Sequence, residues 1–177
     1  MRRICAVLAV GLAATGAEAL EIARDGKALC VIVVPEQASA PVRTAARELA
    51  EHLKLATGAE FAVLPESKAT ATPRILVGPC RETARRVPDA AEIAKRPDGI
   101  RLRTLPDALV LTGAEPRGTL YAVYAFLEDV VGCRWWTSTE SFVPRRPTQV
   151  VPELDASYAP KLLYREAFYR DALTGPF

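Results

Sequence analysis

The chain has 177 residues, half of them hydrophobic and a quarter charged. That is the balance of an ordinary globular protein of one domain, or of one domain and the start of another. A formal net charge of +2 gives no basic footprint for nucleic acid and none for an anionic membrane surface.

The first element is a targeting segment. Arg2 and Arg3 open it, Ile4 to Ala14 is an apolar run, and Ala17-Glu18-Ala19 fits a small-x-small cleavage site. The run is too short to span a bilayer, and Cys5 lacks the surroundings of a lipoprotein cysteine. Residues 1–19 are therefore read as a signal peptide, and the mature chain as exported to the periplasm or beyond, with no membrane association after cleavage.

Leu20 to Pro35 reads as a hairpin about Asp25-Gly26, a strong tight-turn pair. Its second arm, Leu29 to Val34, is continuously apolar, as in a strand covered on both faces. Ser39 and Pro41 open a helix whose inner stripe is Val42, Ala45, Ala46, Leu49, Leu53 and Ala56, and Gly58 ends it. Arg43, Arg47, Glu48, Glu51 and Lys54 form its solvated face. Glu60–Pro65 and Arg74–Gly78 are short strands, and Glu82–Arg86 and Ala90–Lys95 are helical turns. Asp98–Leu105 and Ala108–Gly113 make a second hairpin about Pro106-Asp107.

A second long helix runs from Pro116 to Val131, with Pro116 in its first turn and Gly132 as its left-handed cap. It is apolar nearly all round. Leu120, Val123, Tyr124, Leu127 and Val131 form one stripe, expected to meet the sheet. Ala122, Ala125 and Phe126 form a second surface, expected to face a partner outside this domain. Phe142–Pro152 contains three prolines, so a strand there is an edge or a connector. These elements predict an α+β fold, a largely antiparallel sheet with two long helices packed on it.

The chain offers little catalytic chemistry. His52 is the single histidine, and its spacing to Glu48 suits a pair on a helix surface. No glycine pattern cradles phosphate, and no residue is assigned as catalytic, as a metal ligand or as a cofactor site. The mature chain keeps Cys30, Cys80 and Cys133, an odd number with apolar neighbours, read as buried structural thiols. Trp135 and Trp136 admit two readings: one of them stacks on a sugar ring, or both plug the junction of helix and sheet. Burial is the favoured one, since large aromatics mostly bury.

RILVGP, then DGIRLRTLPDALVLTGAEPRGTLYAVYAFLEDVVGCRWWT, then VPRRPTQVVPELDASYAPKLLYREAFY resembles the N-terminal domain of family 67 α-glucuronidases. It is similar too to the domain preceding the barrel in family 20 β-hexosaminidases and in related bacterial proteins. The resemblance covers Ala28 to Tyr169, and its most specific part is Pro116-Arg117-Gly118-Thr119-Leu120-Tyr121 with Gly132-Cys133-Arg134-Trp135. It implies a non-catalytic domain, hexosaminidase domain-2-like, packed beside a (β/α)8 barrel. Residues 20–152 would be that accessory domain, and residues 153–177 a linker and the first strand of a truncated barrel. By the same resemblance Arg165 reaches sugar hydroxyls; the competing reading is an arginine in an ion pair. Glu166 and Asp171 stand where the family 20 pattern continues with Gly and then Leu-Asp.

The implied protein is an exported glycoside hydrolase acting on polysaccharide fragments, with the carbohydrate met by a downstream barrel and this chain alone inactive. The alternative is a stand-alone carbohydrate-associated module without activity. Export is checked by mass spectrometry of the protein from its native host: Leu20 is the expected N-terminus, and intact Met1 in the cytoplasm is the contrary result.

Overall fold

The computed structural model describes residues 19–70, 72–137, 139–162 and 164–165. Residues 1–18 of the expected signal peptide and residues 166–177 of the expected barrel strand lie outside the described residues.

β1 (Leu20–Arg24) turns into β2 (Lys27–Ala28) through Asp25 and Gly26, at φ 49° and 74°. Two left-handed residues in succession are what a tight hairpin turn requires. The second arm does not stay in this hairpin. Leu29 N–H still bonds the Ile22 carbonyl at 3.0 Å, and then β3 (Val31–Val34) enters a larger sheet.

α1 (Ala40–Thr57) buries Val42, Ala45, Ala46, Leu49, Leu53 and Ala56, the expected stripe, and Gly58 closes it at φ 79°. Ser39 occupies the cap position, but its hydroxyl donates to the Glu115 carboxylate at 3.1 Å instead of capping the helix. There follow β4 (Val63–Pro65), β5 (Arg74–Val77), the short helices α2 (Arg81–Arg86) and α3 (Ala90–Ala94), and the hairpin of β6 (Ile100–Leu105) with β7 (Ala108–Gly113). α4 (Gly118–Phe126) runs on into a π-helical turn, Leu127–Val131. β8 (Arg134–Trp135) pairs with β9 (Ser141–Phe142), and β10 (Gln149–Val151) lies along the edge of β1. The last element, β11 (Asp155–Tyr158), pairs with β6, so the sheet takes in residues that read as linker in the sequence.

The sequence predicts a largely antiparallel sheet; the sheet that carries the helices is instead mixed. Its order is β11-β6-β7-β5-β3-β4. β7–β5, β5–β3 and β3–β4 are parallel, and β11–β6 and β6–β7 antiparallel. The cause is α1, the crossover that parallel neighbours need between β3 and β4. The class remains mixed α+β.

Side chains alternate across this sheet. Ile32, Ile75, Val77, Leu109 and Leu111 meet α1 and α4 in the larger core. Val33, Leu76 and Val110 point the other way, under Cys80, Val87 and Ala90 from the α2–α3 region. β3, β5 and β7 are thus covered on both faces, which is why they read as continuous apolar runs. On the second face Arg101 is buried, and its Nη2 reaches the carboxylates of Asp89 (2.8 Å) and Asp155 (2.6 Å). The guanidinium holds the Asp155 carboxyl below its ordinary value.

α4 starts at Gly118, two residues after the expected proline. A Cβ on Gly118 would lie 2.4 Å from the Gly99 carbonyl oxygen and 2.8 Å from the Gly113 carbonyl carbon, and a Cβ on Gly113 would lie 2.3 Å from the same oxygen. Only glycine permits this approach. Ala114 N–H bonds Gly99 O at 2.8 Å, and Gly118 N–H bonds Ala114 O at 2.6 Å. The turn completed by those bonds precedes the helix.

The expectation that Ala122, Ala125 and Phe126 form a surface awaiting an outside partner is overturned. Ala122 and Phe126 are fully buried, with Val123, Leu127 and Val131, while Leu120, Tyr124 and Ala125 are only partly covered. α4 packs against α1 on one side and β6 and β7 on the other. The domain therefore covers both apolar sides itself, and the helix gives no physical sign of a missing barrel. Leu127→Ala should cost about 2–5 kcal/mol and Phe126→Ala about 3–5 kcal/mol, the range for fully buried side chains. Denaturant melts of the two variants check this; a loss below about 1 kcal/mol for Phe126→Ala would contradict the burial.

Candidate functional site

Arg165, the residue singled out for sugar contact, is ion-paired to Asp98. Asp98 follows α3 and precedes Gly99, at φ 55° and 9% exposure. An aspartate tolerates this left-handed geometry better than most residues. Its carboxylate also accepts Nε and Nη2 of Arg117, each at 3.2 Å. The Arg117 guanidinium lies 5.8 Å from the centre of the Tyr121 ring. The Pro-Arg-Gly motif thus has two local uses: Gly118 for the close approach and Arg117 for the carboxylate. The sequence named Arg117 and Arg165 but offered nothing to join them through Asp98.

A cleft of about 660 Å³ opens where the chain leaves the carboxyl ends of β3 and β5. α1 leaves β3 toward one face of the sheet and α2 leaves β5 toward the other, the switch point at which open parallel sheets hold ligands. Glu36, Glu66 and Glu115 line it with Ser39 and Arg81. Each carboxylate already has a partner in the chain. Glu36 accepts Ser67 N–H at 2.6 Å, and that bond holds its carboxyl below the ordinary value. Glu66 accepts Glu82 N–H at 3.1 Å in the first turn of α2, and Glu115 accepts the Ser39 hydroxyl at the start of α1. Helix N-termini favour anions; here the chain's own carboxylates stand there.

The third feature is aromatic, and it corrects the reading of the tryptophans as a buried plug. Trp135 is 38% exposed, Trp136 65% and Phe142 49%. The register sets Arg134 opposite Phe142 and Trp135 opposite Ser141, and successive side chains point to opposite faces. Trp135 turns inward, edge-on to Tyr124 at 5.2 Å and tilted over His52 at 5.4 Å. Trp136 turns outward and stacks on Phe142 at 6.3 Å. On the inner side the Tyr124 hydroxyl donates to Glu48 at 3.2 Å; burial pushes its pKa up to about 12, helped by the Glu48 charge. His52 Nδ1 donates to the Glu48 carbonyl at 2.8 Å, the histidine–Glu48 pairing the spacing suggests, in a more covered setting.

Cys30, Cys80 and Cys133 are buried and free. Burial pushes the Cys30 and Cys80 thiols up to about 12 and raises that of Cys133, so they are inert as nucleophiles in the folded chain. Among the described residues no group of three or more His, Cys, Asp or Glu is placed to hold a metal ion, and no helix is long and apolar enough to cross a membrane.

The family model described as "Glycosyl hydrolase family 67 N-terminus" matches residues 19–126. No curated protein matches significantly. Among solved structures the chain is similar to a family GH115 4-O-methyl-α-glucuronidase, described as having specificity for decorated arabinogalactans, with a TM-score of 0.56 and 17% identity. The alignment covers 82% of this chain and 19% of that one, so the chain spans about a fifth of that enzyme's length. At this identity the likeness is one of fold.

Asp98→Asn keeps the side chain's shape and its tolerance of positive φ while removing the charge. It should destabilise the chain by about 1–2 kcal/mol, the lower part of the range for charge-assisted bonds because both arginines are well exposed. Thermal melts at low and high salt check this: the difference between variant and parent should shrink as salt is added.

Proposed function

The chain belongs to the glycosyl hydrolase family 67 N-terminal family, and from that premise we propose that it is the exported, non-catalytic accessory domain of a glucuronidase-type glycoside hydrolase, placed ahead of a (β/α)8 barrel that carries the chemistry. The observation that carries this is the family match across residues 19–126, joined to a shared fold with a glucuronidase. The cleft carboxylates support the non-catalytic part. Most glycoside hydrolases set two carboxyl groups facing one glycosidic bond, one to donate a proton and one to attack or to activate water. Glu36, Glu66 and Glu115 are instead bonded to backbone N–H groups and a hydroxyl of their own chain. In this reading the sugar is met mainly downstream. Arg165 contributes through the guanidinium nitrogens that Asp98 leaves free, and its ion pair ties the segment after β11 to the accessory domain.

Residues 20–177 should show no turnover of aryl glucuronides or aryl N-acetylhexosaminides. A longer protein including downstream sequence should hydrolyse the glucuronides. Turnover by residues 20–177 that survives repurification and is lost on changing one carboxylate would overturn the non-catalytic assignment. A longer protein without glycosidase activity would overturn the enzyme assignment.

A further inference from the structure

We propose that the outward face of the β8–β9 ribbon binds a uronic acid-bearing pyranose chain, with the Trp136 and Phe142 rings as the stacking surface and Arg134 as the carboxylate partner. The proposal rests on the glycoside-hydrolase reading above for the choice of sugar, and on the following geometry for the site.

The Trp136 and Phe142 rings lie 6.3 Å apart at an interplanar angle of 30°, with 65% and 49% of these residues in water. They are held there by a hydrogen-bonded loop. Thr137 Oγ1 accepts the N–H groups of Thr139 (3.2 Å) and Glu140 (2.9 Å), and Trp136 N–H bonds the Glu140 carbonyl at 3.0 Å. The inward alternative is already filled by Trp135, against Tyr124 and His52. The outer pair is thereby left on the water side of the ribbon.

The size of the patch selects its occupant. The two rings expose roughly 250 Å², taking about 150–250 Å² for each whole aromatic side chain. A stable protein contact buries about 800 Å² on each partner, several times what these two rings expose. The patch suits one or two pyranose rings, whose C–H faces are apolar and whose rims are hydroxyls. Glu140, exposed in the turn that joins the two strands, adds a hydrogen-bonding group. Arg134 stands opposite Phe142 in the ladder and so shares its face. Its Nη1 donates to the Glu128 and Cys133 carbonyls at 2.6 Å each, which anchors the guanidinium and leaves Nε and Nη2 for a ligand carboxylate.

The test is a titration of the chain with a glucuronic acid-bearing oligosaccharide and with its carboxyl-reduced counterpart, followed by calorimetry and tryptophan fluorescence. The acidic ligand should saturate, and Trp136→Ala should weaken it by about tenfold or more, the usual size of a lost stacking contact. Arg134→Gln should bring the two ligands to within about twofold of each other. Circular dichroism melts establish that each variant folds. If Trp136→Ala or Arg134→Gln does not, Phe142→Ala and salt give the same answers: Phe142→Ala weakens both ligands, and added salt weakens only the acidic one. No saturation at about 10 mM ligand, or unchanged binding in Trp136→Ala and Phe142→Ala, overturns the site. Equal binding of the two ligands by the parent chain overturns the uronate assignment. Self-association lost in Trp136→Ala marks the face as a contact between copies and also overturns the site. Turnover of a small aryl glucuronide by the longer protein separates the two readings. Turnover without binding here sinks this proposal alone, and binding without turnover sinks the enzyme assignment alone.

Discussion

Three stretches of backbone meet at Gly99, Gly113 and Gly118 with no room for a methyl group between them. That contact fixes where the β6–β7 hairpin ends and where α4 begins. With its start pinned, α4 can turn only one face to the hairpin and one to α1, and Ala122, Val123, Phe126 and Leu127 are the residues on those faces. The same junction places the charges. Asp98 precedes Gly99 and Arg117 precedes Gly118, so closing the backbone brings carboxylate and guanidinium together. Packing and electrostatics at this corner follow from one steric requirement.

What the sequence disclosed depended on how one-sided each element is. α1 has charges on one face and apolar residues on the other, so its buried stripe was legible residue by residue. The β6–β7 hairpin was legible from Pro106-Asp107, and the first turn from Asp25-Gly26. α4 was not, because a helix apolar all round carries no sign of which face is inner. Parallel pairing was hidden too: β3, β5 and β7 are neighbours only through long crossovers, and local periodicity is silent about distant partners. β11 was missed because Asp155–Tyr158 is only four residues long and exposed throughout.

The candidate sites divide in the same way. Arg117, Arg134, Trp135, Trp136 and Arg165 all stood out in the sequence, but their partners did not. Asp98 is an ordinary turn aspartate until the fold sets two arginines on it. Trp135 and Trp136 are chemically alike, and only the strand alternation decides that one packs on Tyr124 and the other faces water. Hydrophobicity argued for burying both, since it is blind to which side of a ribbon a residue occupies.

The pairing of β1 with β10 sets how this domain assembles. Leu20 lies opposite Val151, so one of the first strands of the described chain is completed by one of the last. Every contact of the six-stranded sheet except the β11 edge is made by chain lying between them. Closing so long a loop costs roughly 4 kcal/mol of chain entropy if nothing else has formed, and far less once the intervening sheet has drawn the ends together. The small sheet should therefore close late, after β3, β5, β6 and β7 have found one another. A chain that appears from its N-terminus would pair β1 with β2 at once but hold the other edge of β1 open until nearly the whole domain had followed, exposed to other chains for that interval.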